Sequence, residues 1–316
     1  MFDYASSESP PFCGKGWSIT FDELDDSRQR GMSAIINGIE YPSKIVVINA
    51  NSLERAQFVS ELLYASSCLY FGALPFSQRP EACLIDESGA SQQRPLMGAT
   101  YSGVPVVCMI ASKASFRKEY QYAISKYLVS HELISSEPMD HDPTHWSPGT
   151  FVSFSVDYHV RCAYAIVIAY SVIEELSLEL RASNKTPSWI NGEWNPVVRN
   201  ELEGRLKKAG INLAETLLWE LRDTPTKIER TRQPKIQSKA SWAYGKIRDG
   251  KMEIIDAIAQ ASWLRSKVAA HKLRELASAL NVYEVSNIQH LARRLLLEKM
   301  GFWRYNDFIV DTQNSA

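Results

Sequence analysis

Residues Cys162 to Ile173 are apolar on every side of a helix, broken only by Ser171. A helix with no polar face is stable in a bilayer or at the centre of a packed fold. The stretch spans about 12 residues, roughly 18 Å of helix, which falls short of the ~30 Å hydrocarbon layer. It is therefore expected at the centre of a bundle or dimer core. Asp157 can cap this helix, which the pattern carries from about His159 to Ala182, with Glu174 and Glu175 closing its apolar part.

The rest of the C-terminal half also reads as helix. Pro196 suits the first position of a helix through Lys208, stopped by Gly210, and Leu213 to Arg222 reads as another short helix. From Lys251 to about Leu280 an apolar stripe runs through Ile254 or Ile255, Ile258, Ala261, Arg265 and Val268, and Val285 to Lys299 forms a last amphipathic helix ahead of Gly301.

The N-terminal half has a different texture. A strand is possible near Trp17 to Phe21, Ile45 to Ile48 is a compact β-branched run, and Asn51 or Ser52 can cap a helix over Leu53 to Phe71 that ends at Gly72. Val104 to Ile110 reads as a further strand, followed by a helix from Phe116 to about Ile134. Ser135 to Gly149 holds three prolines and no apolar period, which suits a linker. The expected fold class is α+β: an α/β-type domain over 1–148 and an all-helical domain over 149–316.

With 316 residues and a formal charge of −1, the chain can bury two cores, but its overall field offers nucleic acid almost no attraction. Such attraction must come from a local patch. The segment Arg222 to Lys251 supplies one, with nine Lys or Arg against three acids and with Trp242 and Tyr244 interleaved. Charge for phosphates and rings for bases is what an RNA groove uses. Arg230, Arg232, Lys235, Lys239 and, further on, Lys267 are the candidate RNA contacts; a solvated basic loop is the plainer alternative.

Five scattered cysteines with no C-x-x-C pair fit reduced thiols, and the first residues lack a signal-peptide pattern, so a cytoplasmic location without membrane attachment is expected. Asp140, His141, Asp142 and His145 lie close in sequence, but Pro143 and the linker setting give no rigid frame, so no metal is expected there. His131, His159 and His290 fall on helical patterns and are expected to pack or cap. Phosphate-loop and dinucleotide glycine motifs are missing from the sequence, and no cofactor is expected.

The chemistry concentrates in Trp263-Leu264-Arg265-Ser266-Lys267-Val268-Ala269-Ala270-His271. Arginine, a polar residue, four more residues and histidine on a late helix resembles the signature of HEPN domains, with Ser266 where that family usually has asparagine. The resemblance covers roughly Ser155 to Lys299 and implies a helical bundle acting as a metal-independent RNase. Histidine titrates near neutrality and can take the 2′-hydroxyl proton, while arginine stays charged and grips two phosphate oxygens.

Six positions along an ideal helix turn Arg265 and His271 about 120° apart, so one helix makes a loose pair. The resemblance implies the remedy: a homodimer in which two motifs face one cleft. It also implies an acidic residue near the site, for which Glu174 and Glu175 are the candidates; a solvated helix face is the alternative. The N-terminal domain would then sense a regulatory ligand or protein and restrain a toxin or defence effector. The competing reading is a non-catalytic module that binds nucleic acid or a partner, with Arg265 and His271 structural.

Overall fold

The computed structural model describes residues 12–23, 34–36, 39–41, 44–74, 104–135, 156–183, 185–191, 193–222, 239–241, 247–270 and 282–303. Among these the fold is α+β, with seven helices and small antiparallel sheets. The chain divides into two compact units, one of 1–70 with 75–121, the other of 71–74 with 122–316. The sequence placed a boundary near 148, in a linker that lies outside the described residues.

In the first unit, β1 (Phe12–Gly14), β2 (Trp17–Glu23) and β5 (Lys44–Ala50) form an antiparallel sheet in the order β1-β2-β5, with Ile19 opposite both Phe12 and Ile48. A separate two-stranded ladder joins β3 (Ala34–Ile36) to β4 (Ile39–Tyr41). Helix α1 (Leu53–Phe71) begins where the Ser52 hydroxyl accepts the Arg55 N–H at 3.1 Å and ends at Gly72, whose φ of 73° is a left-handed stop.

Val104–Ser115, expected to begin as a strand, is helix α2. A short apolar run can serve either structure. Here Pro105 sits in the first helical turn, where its missing N–H costs nothing, and Val107, Cys108, Ile110, Ala111 and Ala114 bury one helical face. Helix α3 (Lys118–Ser135) follows after a two-residue break.

The second unit is built around α4 (Val156–Glu175), with α6 (Ile254–Ala270) and α7 (Val282–Lys299) packed on it. Cys162, Ala165, Ile166, Ala169, Val172 and Ile173 of α4 are buried. Each fully buried Ile or Val contributes about 1.5–3 kcal/mol, which is what fixes an apolar helix at the centre. By length and composition alone α4 could span a membrane, yet more than half of its apolar window is buried inside the fold. The helix stops at Glu175, short of the expected Ala182, because the chain turns through Ser177 at φ 57° and the Leu178 N–H returns to the Ile173 carbonyl.

Helix α5 (Pro196–Lys208) is capped as its sequence suggests, Asn195 Oδ1 accepting the Val197 N–H at 3.1 Å. Beyond it the all-helical expectation is corrected. Thr216–Arg222 is strand β8, not a helix, and pairs with β10 (Ile247–Glu253), which also pairs with β9 (Lys239–Ser241). Leu217 and Trp219 are buried while Leu218 between them is exposed, the period of a strand with one covered face. Lys251 to Glu253, read as helical, belongs to β10, so α6 starts at Ile254.

Candidate functional site

Two neighbouring acids end α4, and consecutive helical positions point about 100° apart. They therefore serve different helices. Glu174 meets Arg265 of α6, Oε1 to Nη2 at 3.1 Å, whereas Glu175 is tied to Lys126 of α3 at 2.6 Å. Of the two acids offered by the sequence, the structure brings Glu174 to the arginine and turns Glu175 away.

The Arg265 pair is half open to solvent, 38% on the arginine and 37% on the glutamate, so it stabilises the fold by no more than about 1 kcal/mol. Its Nε is shielded from solvent and has no hydrogen-bond partner. The carboxylate thus fixes one edge of the guanidinium fork without saturating its five donors.

Ser266 is exposed and returns its hydroxyl to the Ser262 carbonyl at 2.9 Å, a bond within the helix. The Lys267 ammonium lies 5.9 Å from the centre of the Trp263 ring. His271, Arg230, Arg232 and Lys235 lie outside the described residues; Lys239 opens β9 opposite Gly250, its side chain also outside them. His271 is the next residue in sequence after the last of α6.

Close to the ion pair, Tyr170 of α4 is buried, and its hydroxyl accepts the Leu180 N–H at 3.4 Å. Burial pushes its phenol above the ordinary value; the carboxylates of Glu174 and Glu179 push the same way, against hydrogen bonds from Ser262 and Leu180. The phenol therefore stays neutral at physiological pH.

The first half of α6 also forms one wall of a cleft of about 470 Å³, lined by Asp256, Gln260, Ser262, Trp263 and Ser266, and faced by Trp189. Trp189 belongs to a hairpin in which β6 (Trp189–Ile190) pairs with β7 (Glu193–Trp194), setting Trp189 opposite Trp194 with ring centres 4.6 Å apart. The Trp194 indole N–H donates to Asp256 Oδ1 at 2.7 Å, and Asn195 holds the hairpin's base through its N–H to the Ser188 carbonyl and its amide to the Pro187 carbonyl. An aromatic wall is thereby pinned to the start of α6.

Sequence reasoning missed Tyr170, Asp256, Gln260 and the tryptophans of this cleft. One signal was present, Asn-Gly at 191–192 between two tryptophans, the sequence of a two-residue hairpin turn.

Other reactive groups are packed away. His131 and His290 are held down to about 4, burial acting first and Arg293 adding to it, with Arg294 also bearing on His290. Cys68, Cys108 and Cys162 are buried, and burial pushes the Cys108 thiol up to about 12. Among the described residues, no three His, Cys, Asp or Glu side chains converge to hold a metal ion; the Asp140 to His145 cluster lies outside them. No protein-family model matches the chain, and neither does any curated protein or solved structure.

Proposed function

We propose that this chain is a metal-independent endoribonuclease of the HEPN type, its helical half forming the nuclease. The observation that carries the reading is Arg265: a guanidinium on a half-open helix surface, held along one edge by Glu174 and with donors left for phosphate. In the reaction His271 takes the proton of an RNA 2′-hydroxyl. The oxygen attacks the adjacent phosphorus, the bond to the 5′-oxygen breaks, and that oxygen leaves with a proton supplied by a protonated imidazole. The products are a 2′,3′-cyclic phosphate and a 5′-hydroxyl, with Arg265 holding the phosphate oxygens as charge shifts.

A homodimer would place two Arg265–His271 sets at one phosphate. Ser266 sits beside the clamp, and Arg230, Arg232, Lys235, Lys239 and Lys267 would line the approach of RNA. The N-terminal region then acts as sensor or restraint in a toxin or defence effector working in the cytoplasm. A second reading draws on the same ion pair: an arginine already bonded to a carboxylate can be structural, in a module that binds RNA or a partner without cleaving.

The test is incubation of the full chain with total RNA in EDTA, beside His271→Ala and Arg265→Ala, followed by end-group analysis. Cyclic phosphate ends from the wild type alone are the expected result. Equal cleavage by wild type and a folded His271→Ala would sink the mechanism, and RNA binding without cleavage would favour the second reading.

A further inference from the structure

The cleft beside Arg265 has features that cleavage of a phosphodiester does not require. Its volume, about 470 Å³, lies within the range of small-molecule sites. Trp263 stands on α6, and Trp189 is backed by Trp194, whose N–H is fixed by Asp256. Rigid indole surfaces are platforms for planar rings, and bases stack on them whatever their sequence.

Selectivity would come from the polar groups between. Asp256 and Gln260 are four positions apart, hence neighbours on one face of α6, and both are buried, 6% and 8% exposed. Gln260 Oε1 is shielded from solvent and accepts no hydrogen bond. An acceptor left in that condition costs about 1–3 kcal/mol unless something donates to it. A carboxylate has two oxygens and several lone pairs, so the Trp194 bond to Oδ1 does not exhaust the acceptor capacity of Asp256.

Two neighbouring acceptors call for two neighbouring donors. Guanine alone among the four RNA bases presents an N–H and an amino group side by side on its pairing edge; uracil offers one N–H between carbonyls, and adenine and cytosine one amino group beside an acceptor. We infer that this cleft is a recognition site for an unpaired guanine base, stacked against Trp189 and Trp263 and read by Asp256 and Gln260. This deepens the RNase reading and rests on it for the source of the base, since Ser266 of the cleft adjoins the proposed phosphate clamp.

The experiment is calorimetric titration of the full chain, in EDTA, with the 5′-monophosphates of guanosine, adenosine, cytidine and uridine. Parallel titrations use a short uridine oligoribonucleotide with and without one central guanosine. Saturable binding of the guanosine monophosphate, at least about tenfold tighter than the other three, is expected. Gln260→Leu and Trp263→Ala should each weaken it by about tenfold or more while circular dichroism shows an unchanged fold. If the guanosine oligonucleotide binds more tightly than the mononucleotide, the source is RNA; equal affinity makes it a free nucleotide.

No saturable binding of any monophosphate by the wild type at millimolar concentration overturns the proposal, as does binding indifferent to the base or to both substitutions. Because binding is read without turnover, the two hypotheses fail separately. Cleavage without guanine binding removes this site and leaves the nuclease; guanine binding without cleavage does the reverse.

Discussion

Two arginines of the second unit each face carboxylates, and their surroundings differ. Arg294 on α7 is 4% exposed, bonded to Glu298 at 2.8 Å and Glu215 at 2.5 Å, with its guanidinium 4.3 Å from the centre of the Trp303 ring. Arg265 on α6 is 38% exposed and held by Glu174. The first is enclosed by partners and carries the packing of α7 against the turn before β8. The second is held just enough to be oriented, which is how a group meant for an outside ligand is presented.

Removing Arg294 should break this comparison most forcefully. Arg294→Met leaves Glu298, 8% exposed, without its cation, and loss of one member of a buried pair costs about 3–5 kcal/mol. Chemical denaturation should show a loss of that order; a change below about 1 kcal/mol would place Arg294 in the same class as Arg265.

Acid comes next. His131 and His290 have folded values near 4, below the ordinary 6.5, so between those limits the unfolded chain binds more protons. Stability is therefore at its full value above pH 6.5, falls as pH drops towards 4, and by pH 5 has lost roughly 2 kcal/mol for each histidine. Thermal midpoints measured from pH 7.5 to 4.5 should trace this decline, and His290→Gln should flatten it. A midpoint constant across that range would mean that neither histidine is held neutral.

Trp194→Phe keeps a ring against Trp189 but removes the donor to Asp256, at a cost of about 2 kcal/mol. Asp256→Asn in the Phe background should recover part of it; additive losses in the double variant would show the bond contributes little. Smallest of all in stability is Arg265→Met, expected within about 1 kcal/mol of wild type while abolishing cleavage. A large loss of stability there would make Arg265 a second Arg294 and favour the binding-module reading.

Helices with a clear polar face or strong end signals were legible from sequence. α1 starts at Ser52 and stops at Gly72, and α5 starts at Pro196 and stops before Gly210, because caps and stops act locally. Two segments were misread for opposite reasons. Val104 to Ile110 is β-branched yet buries a helical face, and Leu213 to Arg222 contains good helix formers yet pairs with a strand some 30 residues away. In both, tertiary packing outweighs local preference.

The site was legible as a motif, not as a place. Arg265 and Ser266 stand out by spacing, but the Glu174 contact bridges 91 positions and the Asp256 bond to Trp194 bridges 62. No window along the chain contains such a pair. Nor does composition reveal that Glu175 turns to Lys126, since that depends on how α4 is rotated against α3.

The tryptophan hairpin separates early from late in the folding of this unit. Trp189 and Trp194 meet across a turn of a few residues, a closure that takes about 1–10 μs in hairpins of this size. The bond from Trp194 to Asp256 must wait until 62 intervening positions have found their places. Stacking of the two indoles should thus appear before the cleft exists, and the Asp256 bond only when α6 has docked. In a refolding experiment the pair works as a two-stage clock: exciton coupling of the indoles marks the first stage, and the environment of Trp194 marks the second. If both signals rise together, the hairpin has no life of its own.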